Sequence, residues 1–347
     1  MRILHLCNKV PFPGRDGSSI AMESLIRLEF NAGHNVHVIS LNTDKHFVIN
    51  PKTFNSSIIL EYFNINLSPE PLNFIYHSLN KMSYFASRFY KSEIALSIKK
   101  ASENADLIVV DGIYMSVYKE SWGETPFVIR THNVEHQIWE RTLASSHLSF
   151  KKLFIKWQTR KLKKWETGLI LGSHIWAITN EDSLNFKKLG AKSTEVFPCT
   201  FNHKKTWSFS GSLSNKLYHL GALDWEPNIV GMTWFVKSVI PKIPDLIQVT
   251  VYSKKWPNSI PRPQAITWNN STSKEIPFEE YGIFIAPLLS GSGMRIKLLE
   301  AMSRGKAIVT TSIGAEGLLC TNRIHLCIAD TEQEFAIAIS ELFNNSN

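Results

Sequence analysis

Short apolar runs alternate with amphipathic stretches along most of the chain. Residues 2–8, RILHLCN, have the pattern of a buried strand, and a Pro/Gly-rich loop, VPFPGRDGSS, follows. Next comes IAMESLIRLEFNAG, an amphipathic helix that Gly33 ends as a C-cap residue, and then a second strand, HNVHVISL. Strand, loop, helix and strand make a βαβ unit, so the sheet is expected to be parallel. DLIVVDG, PFVIRTH and HIWAITN extend it, each short and apolar, as strands covered on both faces are. The segment FPCTFNHKKT, residues 197–206, breaks this rhythm with a proline and polar residues, and the domain boundary is placed there. The second half repeats the alternation, with strands in LYHLGALDW, LIQVTVYS, GIFIAPL and AIVTT and helices in NIVGMTWFVKSVI and MRIKLLEAMSR. The expectation is an α/β chain of two Rossmann-like domains, 1–198 and 199–347, facing a cleft, with ligands outside the carboxyl ends of the strands.

The densest chemistry lies in GSGMRIKLLEAMSRGKAIVTT, residues 291–311. Gly291 and Gly293, flanking Ser292 and followed by Met294, let the backbone approach a ligand closely. The helix they open offers unpaired N–H groups and a partial positive charge to a phosphate. Arg295 and Lys297 add full charges, while Ile296, Leu299 and Met302 are spaced to face the core. Glu300 lies roughly 8 Å along the axis, within reach of the sugar hydroxyls of a nucleotide whose phosphate sits at the helix start. The spacing is neither a P-loop nor a dinucleotide fingerprint. Gly17 and Ser18 open the first helix in the same way; a second anion site and an ordinary βα turn both fit.

RTHNVEHQIWERTL contains H-x-x-E-H, an inverted zinc-protease spacing. That chemistry needs both histidines on one helix face. His132 ends the strand PFVIRT, and Asn133 is expected to cap a helix with Glu135 in its first turn, so His132 and His136 fall off a shared face. His132 at a strand's carboxyl end is placed to hydrogen-bond a substrate in the cleft; a structural histidine is the alternative.

With 38 basic and 30 acidic residues, the net charge of +8 favours an anionic partner. Nucleic acid is disfavoured, since no helix-turn-helix or RNA-binding signature appears. Cys7, Cys199, Cys320 and Cys327 form no C-x-x-C pair, which suits a reduced compartment and argues against a zinc framework. No run approaches the roughly 18 apolar residues of a membrane span, and a cytoplasmic setting is expected. SFKKLFIKWQTRKLKKWE, residues 149–166, carries seven basic residues. Its stripe Phe150, Leu153, Phe154 and Trp157 is expected to pack as core, with contact to the inner membrane face as the alternative. Aromatic residues at 84, 85, 89 and 90, flanked by basic ones in KMSYFASRFYKSEIALSIKK, mark a second candidate for membrane contact.

Together, GSGMRIKLLEAMSRGKAIVTTSIGAEGL, YHLGALDWEPNIVGMTWFV, THNVEHQIWER, KWETGLILGSHIWAITNED and PFPGRDGSS resemble the retaining glycosyltransferases of family 4, of the glycosyl transferases group 1 and the GT-B fold. The resemblance covers most of the chain and is weakest over residues 45–105. It implies a nucleoside diphosphate sugar as co-substrate, with no further cofactor and no catalytic metal, and a glycan or lipid-linked glycan acceptor, as in cell-surface polysaccharide synthesis. By resemblance, Glu300 holds the ribose, and Arg295 and Lys297 lie near the diphosphate. Gly17 lies near the donor phosphate, and His132 contacts the transferred sugar. Three departures stand out: Ser292 replaces the first of two glutamates eight positions apart, ALDWEPN lacks the usual arginine and lysine, and the chain stops soon after FAIAISELFNNSN. These leave open an epimerase of the same fold or a non-catalytic sugar-nucleotide or glycan-binding protein.

Overall fold

A computed structural model of the chain describes residues 1–14, 16–68, 71–144, 150–198, 215–270, 282–290 and 295–344. The chain divides into two compact units, Met1–Thr200 and Phe201–Asn347.

The first unit runs β1 (Arg2–Cys7), α1 (Gly17–Asn31), β2 (Asn35–Thr43), β3 (Ile59–Ile65), α2 (Pro71–Leu79), α3 (Tyr84–Ser87), α4 (Ser92–Ser102) and β4 (Leu107–Asp111). It continues with β5 (Phe127–Thr131), α5 (Glu135–Ala144), α6 (Phe150–Ile170), β6 (His174–Ala177), α7 (Asn180–Lys188) and β7 (Ser193–Val196). Among the described residues the sheet has the order β3-β2-β1-β4-β5-β6-β7. Every pair is parallel, with Ile3 opposite Val36 on one side and Leu107 on the other. Successive side chains point to opposite faces of a strand. Leu4, Leu6, Ile108 and Val110 therefore pack with Ile94 and Phe186 on one face, and Ile3, Val109 and Val128 pack with Leu25 on the other. Burying one such side chain stabilises by roughly 1.5–3 kcal/mol, which is why these strands are apolar without alternation.

The second unit contains β8 (Lys216–Leu220), α8 (Glu226–Trp234), β9 (Gln248–Tyr252), β10 (Ile266–Asn269) and β11 (Ile283–Ala286). After these come α9 (Ile296–Ser303), β12 (Ile308–Thr310), α10 (Ser312–Ala315), β13 (Cys327–Ile328) and α11 (Glu332–Asn344). Its sheet has the order β10-β9-β8-β11-β12-β13, again parallel throughout the described residues. Leu217, Val249, Ile285 and Val309 meet Phe235 and Phe335 on one face. Tyr218, Tyr252, Phe284 and Ile308 meet Leu298 and Ala301 on the other.

Several local expectations shift. The helix expected over residues 228–240 is α8 followed by a wider π turn, Phe235–Val239, and a 3-10 turn, Ile240–Lys242, around Pro241. On α9, Ile296, Leu298 and Ala301 are the buried positions, while Leu299 and Met302 are half-buried, so the core face is rotated from the expected one. The α6 stripe is corrected as well. Phe154 packs on Phe74 and Tyr84, but Leu153 and Trp157 are exposed. The buried positions of α6 include Gln158, Leu162, Glu166 and Leu169, about a third of a turn round the helix. The side chain of Phe150 lies outside the described residues. Tyr84, Phe85 and Phe89 are buried, and of that aromatic set only Tyr90 is exposed.

Candidate functional site

In the first unit, polar groups gather at the carboxyl ends of β4 and β5. Asp111 closes β4 and is fully buried. One of its oxygens meets His132 Nε2 at 2.7 Å, and the other accepts from Arg130 Nη1 at 3.1 Å. Arg130 Nη1 also donates to the Ala21 carbonyl of α1 at 2.9 Å. Burial alone would raise the Asp111 carboxyl, but Arg130 and His132 outweigh it and hold the group well below the usual carboxylate range. An ionised carboxylate bound to Nε2 makes that nitrogen the donor and turns Nδ1 of His132 away from it. A second buried pair, His5 Nε2 to Glu29 at 2.5 Å, ties β1 to α1 beside this group.

His132 follows directly on β5, at its carboxyl end as expected, but Asn133 is not the helix cap. The helix starts at Glu135, and its first N–H groups are taken by Glu166 of α6. Glu166 Oε1 accepts from Glu135 N at 2.9 Å, and Oε2 accepts from His136 N at 2.9 Å and meets His136 Nδ1 at 2.7 Å. A full charge serves this helix end better than an amide, because it satisfies orphan donors and meets the positive end of the dipole. Asn133 instead bonds the Glu135 side chain, which also accepts from Tyr114 at 3.0 Å. Burial, and then the charge of Glu166, push the Glu135 carboxyl up to about 7. His132 and His136 thus turn to different carboxylates, Asp111 and Glu166.

Gly17 and Ser18 open α1, where Asp16 already supplies a negative charge. Asp16 Oδ1 accepts from Ser19 N and from Ser18 Oγ, both at 3.1 Å, and Lys9 and His46 face the same carboxylate.

In the second unit, Gly291, Ser292, Gly293 and Met294 lie outside the described residues. Arg295 stands at the N-cap position of α9, with its guanidinium 5.8 Å from the Trp225 ring centre. Lys297 donates to the Leu220 carbonyl at 3.1 Å. Both cations therefore stand over the carboxyl end of β8. Glu300, the fifth residue of α9, is held by Arg304 at 3.1 Å. Below them His219 of β8 is buried, with Nδ1 donating to the Ile285 carbonyl at 2.9 Å. Burial, with a smaller contribution from Lys297, pushes its pKa down to about 4, so the ring stays neutral. A Cβ on Gly221 would lie 2.1 Å from His219 Nε2, which explains the glycine that ends this strand.

Sequence reasoning missed Asp111, Arg130, Glu166 and His219. Asp111 had a signal, a lone acid closing the run LIVV. Glu166 did not, because its partners lie 30 and 31 residues away in a different helix.

Residues 214–345 match the family model of the glycosyl transferases group 1. The chain is 23% identical over 353 residues to an uncharacterized 44.6 kDa protein in the cps region of Klebsiella pneumoniae, covering 96% of this chain and 89% of that one. Among solved structures it is similar to Anabaena Alr3699/HepE in complex with UDP-glucose, with a TM-score of 0.65 and 13% identity over 99% of this chain and 90% of that one. It is similar to WaaG, a glycosyltransferase involved in lipopolysaccharide biosynthesis, with a TM-score of 0.65 and 12% identity over 99% and 91% of the two chains. The fold is GT-B. The family match lies within the second unit.

Proposed function

We propose that the protein moves a sugar from a nucleoside diphosphate sugar to a glycan or lipid-linked glycan of a cell-surface polysaccharide, with retention of configuration. The match over residues 214–345 carries this reading, because it spans the helix that bears Arg295, Lys297 and Glu300. The UDP-glucose held by the HepE structure and the cps and lipopolysaccharide settings of the relatives support a nucleotide-sugar donor and a glycan acceptor.

In this reading Arg295 and Lys297 neutralise the leaving diphosphate, as preorganised cations do where charge develops. Gly17, Ser18 and the segment Gly291, Ser292, Gly293 and Met294 contribute backbone to the donor site, and Glu300 accepts from ribose hydroxyls. His132, oriented by Asp111, contacts the transferred sugar. The acceptor hydroxyl attacks the anomeric carbon on the face that the diphosphate leaves, and its proton goes to a leaving phosphate oxygen. The nucleotide sugar is a co-substrate, and neither a metal nor another cofactor takes part.

The test is calorimetric binding of UDP, GDP, ADP and their sugars to the wild type, Glu300→Gln and Arg295→Ala. Loss of a charge-assisted hydrogen bond costs about 1.5–3 kcal/mol, so each variant should bind the preferred nucleotide roughly tenfold to a hundredfold more weakly. Wild-type affinity in both variants would remove the proposed site. Release of a changed sugar nucleotide without acceptor would identify an epimerase, and binding without transfer or hydrolysis would identify a non-catalytic binder.

A further inference from the structure

The outer face of α6 is the face that the core does not use. Leu153, Trp157, Arg160 and Lys164 follow one another at helical spacings of three and four, Lys156 lies beside them, and together they share one stripe opposite Gln158, Leu162 and Glu166. Leu153 is 58% and Trp157 43% exposed, and Lys156, Arg160 and Lys164 are exposed with them. The neighbouring helix α2 extends this surface. Its Ile75, Tyr76 and Leu79 lie on one face and are 55%, 66% and 74% exposed.

Side-chain contacts join the two helices. Phe74 stacks near Phe154 with ring centres 5.0 Å apart. Lys161 sits 4.9 Å from the Trp157 ring and donates to the Ser78 carbonyl at 3.0 Å and to that of Asn80, on either side of Leu79. Lys161 thereby ties Trp157 to the chain segment that carries the exposed Leu79, and Lys81 is exposed just beyond it. Among the described residues no helix is long and apolar enough to cross a membrane.

We propose that this α2–α6 surface docks on an anionic lipid bilayer, lying in the headgroup region without spanning it. Leucine, isoleucine, tyrosine and tryptophan enter the acyl boundary, while the lysines and the arginine stay with the phosphates. The mixture singles out a bilayer among anionic partners, since a soluble polyanion has no use for five exposed apolar side chains. The proposal does not depend on the catalytic reading.

The full chain is sedimented with vesicles of phosphatidylcholine alone and with vesicles containing a third phosphatidylglycerol. Binding should be at least about tenfold tighter to the anionic vesicles and should fall with added salt. Leu79→Glu with Trp157→Glu, and separately Lys156→Glu with Arg160→Glu, should each weaken it at least about tenfold. Leu319→Glu, an exposed leucine of the other unit, should leave it unchanged. All of these positions are exposed, and circular dichroism verifies that each variant is folded. Equal binding to both vesicle types, or undiminished binding by both double variants, would overturn the proposal. So would a dimer in sedimentation velocity that Leu79→Glu dissolves, because the surface would then belong to a second copy.

Discussion

Removing the Glu166 carboxylate should destabilise the first unit more than any change at its surface. The side chain is fully buried and makes three bonds to two residues of α5, at 2.9, 2.9 and 2.7 Å. In Glu166→Ala, two helix N–H groups and the His136 ring lose their acceptor at a site closed to water. An N-cap alone is worth about 0.5–2 kcal/mol, and breaking a buried charged contact by removing one partner costs about 3–5 kcal/mol. These overlap, so the expected loss is about 3–5 kcal/mol. For a unit of this size each kcal/mol lowers Tm by about 2–4 °C, which puts the shift between roughly 6 and 20 °C in a calorimetric scan of the full chain. Glu166→Gln keeps one acceptor oxygen but turns an NH2 toward a donor, and should fall between the wild type and the alanine variant. It should also move the titration of Glu135 from about 7 toward the ordinary carboxylate range, though burial, the larger cause, stops it short. A loss below about 1 kcal/mol in Glu166→Ala would refute the assignment of Glu166 as the cap.

Other outcomes follow from the same geometry. Gly231→Ala places a Cβ 1.9 Å from the Pro287 carbonyl oxygen, whereas a Cβ at Gly168 of α6 meets nothing within 4 Å. Urea denaturation should show the first destabilised by about 1–3 kcal/mol and the second stabilised by about 0.5–1 kcal/mol. His219, neutral in the fold and protonated when unfolded between pH 6.5 and about 4, contributes stability that is full above that window and lost as pH falls through it. The loss should reach about 3 kcal/mol, and His219→Asn should flatten the slope. Glu135 has the opposite sign, since the folded state holds its proton more tightly, so its contribution falls as pH rises from the ordinary carboxylate range to about 7. Asp111→Asn keeps the side-chain shape but removes the charge that orients His132. On the proposed activity, kcat should fall at least about tenfold with nucleotide affinity unchanged; wild-type turnover would show that the orientation is not used.

The central strands were legible because both faces of each are covered, which forces an unbroken apolar run such as LIVV or IFIA. Among the described residues, the four strands without a sequence signal are β3, β7, β10 and β13, and these are the edges of the two sheets. An edge strand has one paired side and open flanks, so ILEYFNI and STEV retain polar residues and carry no run that stands out. The site divides in the same way. The positions of His132, just past β5, and of Arg295 and Lys297, at the start of α9, were legible because local order alone fixes them. Asp111 and Glu166 act across the fold, and a contact between distant segments leaves no periodic trace. The α6 stripe misled for a related reason: four apolar residues at helical spacing mark a face, but not which face the rest of the protein covers.

One helix carries both the outward stripe and the Glu166 carboxylate. The 21 residues of α6 form a rod about 31 Å long, and Trp157 and Glu166 are separated by about 14 Å along it. Between them the sequence WQTRKLKKWE holds neither proline nor glycine, so nothing there kinks the helix. Leaning on Trp157 therefore moves the carboxylate that grips the first turn of α5, three residues from His132. In mechanical terms α6 is a lever with its handle at the surface and its jaw at the end of β5, and whatever holds the handle still also steadies the jaw.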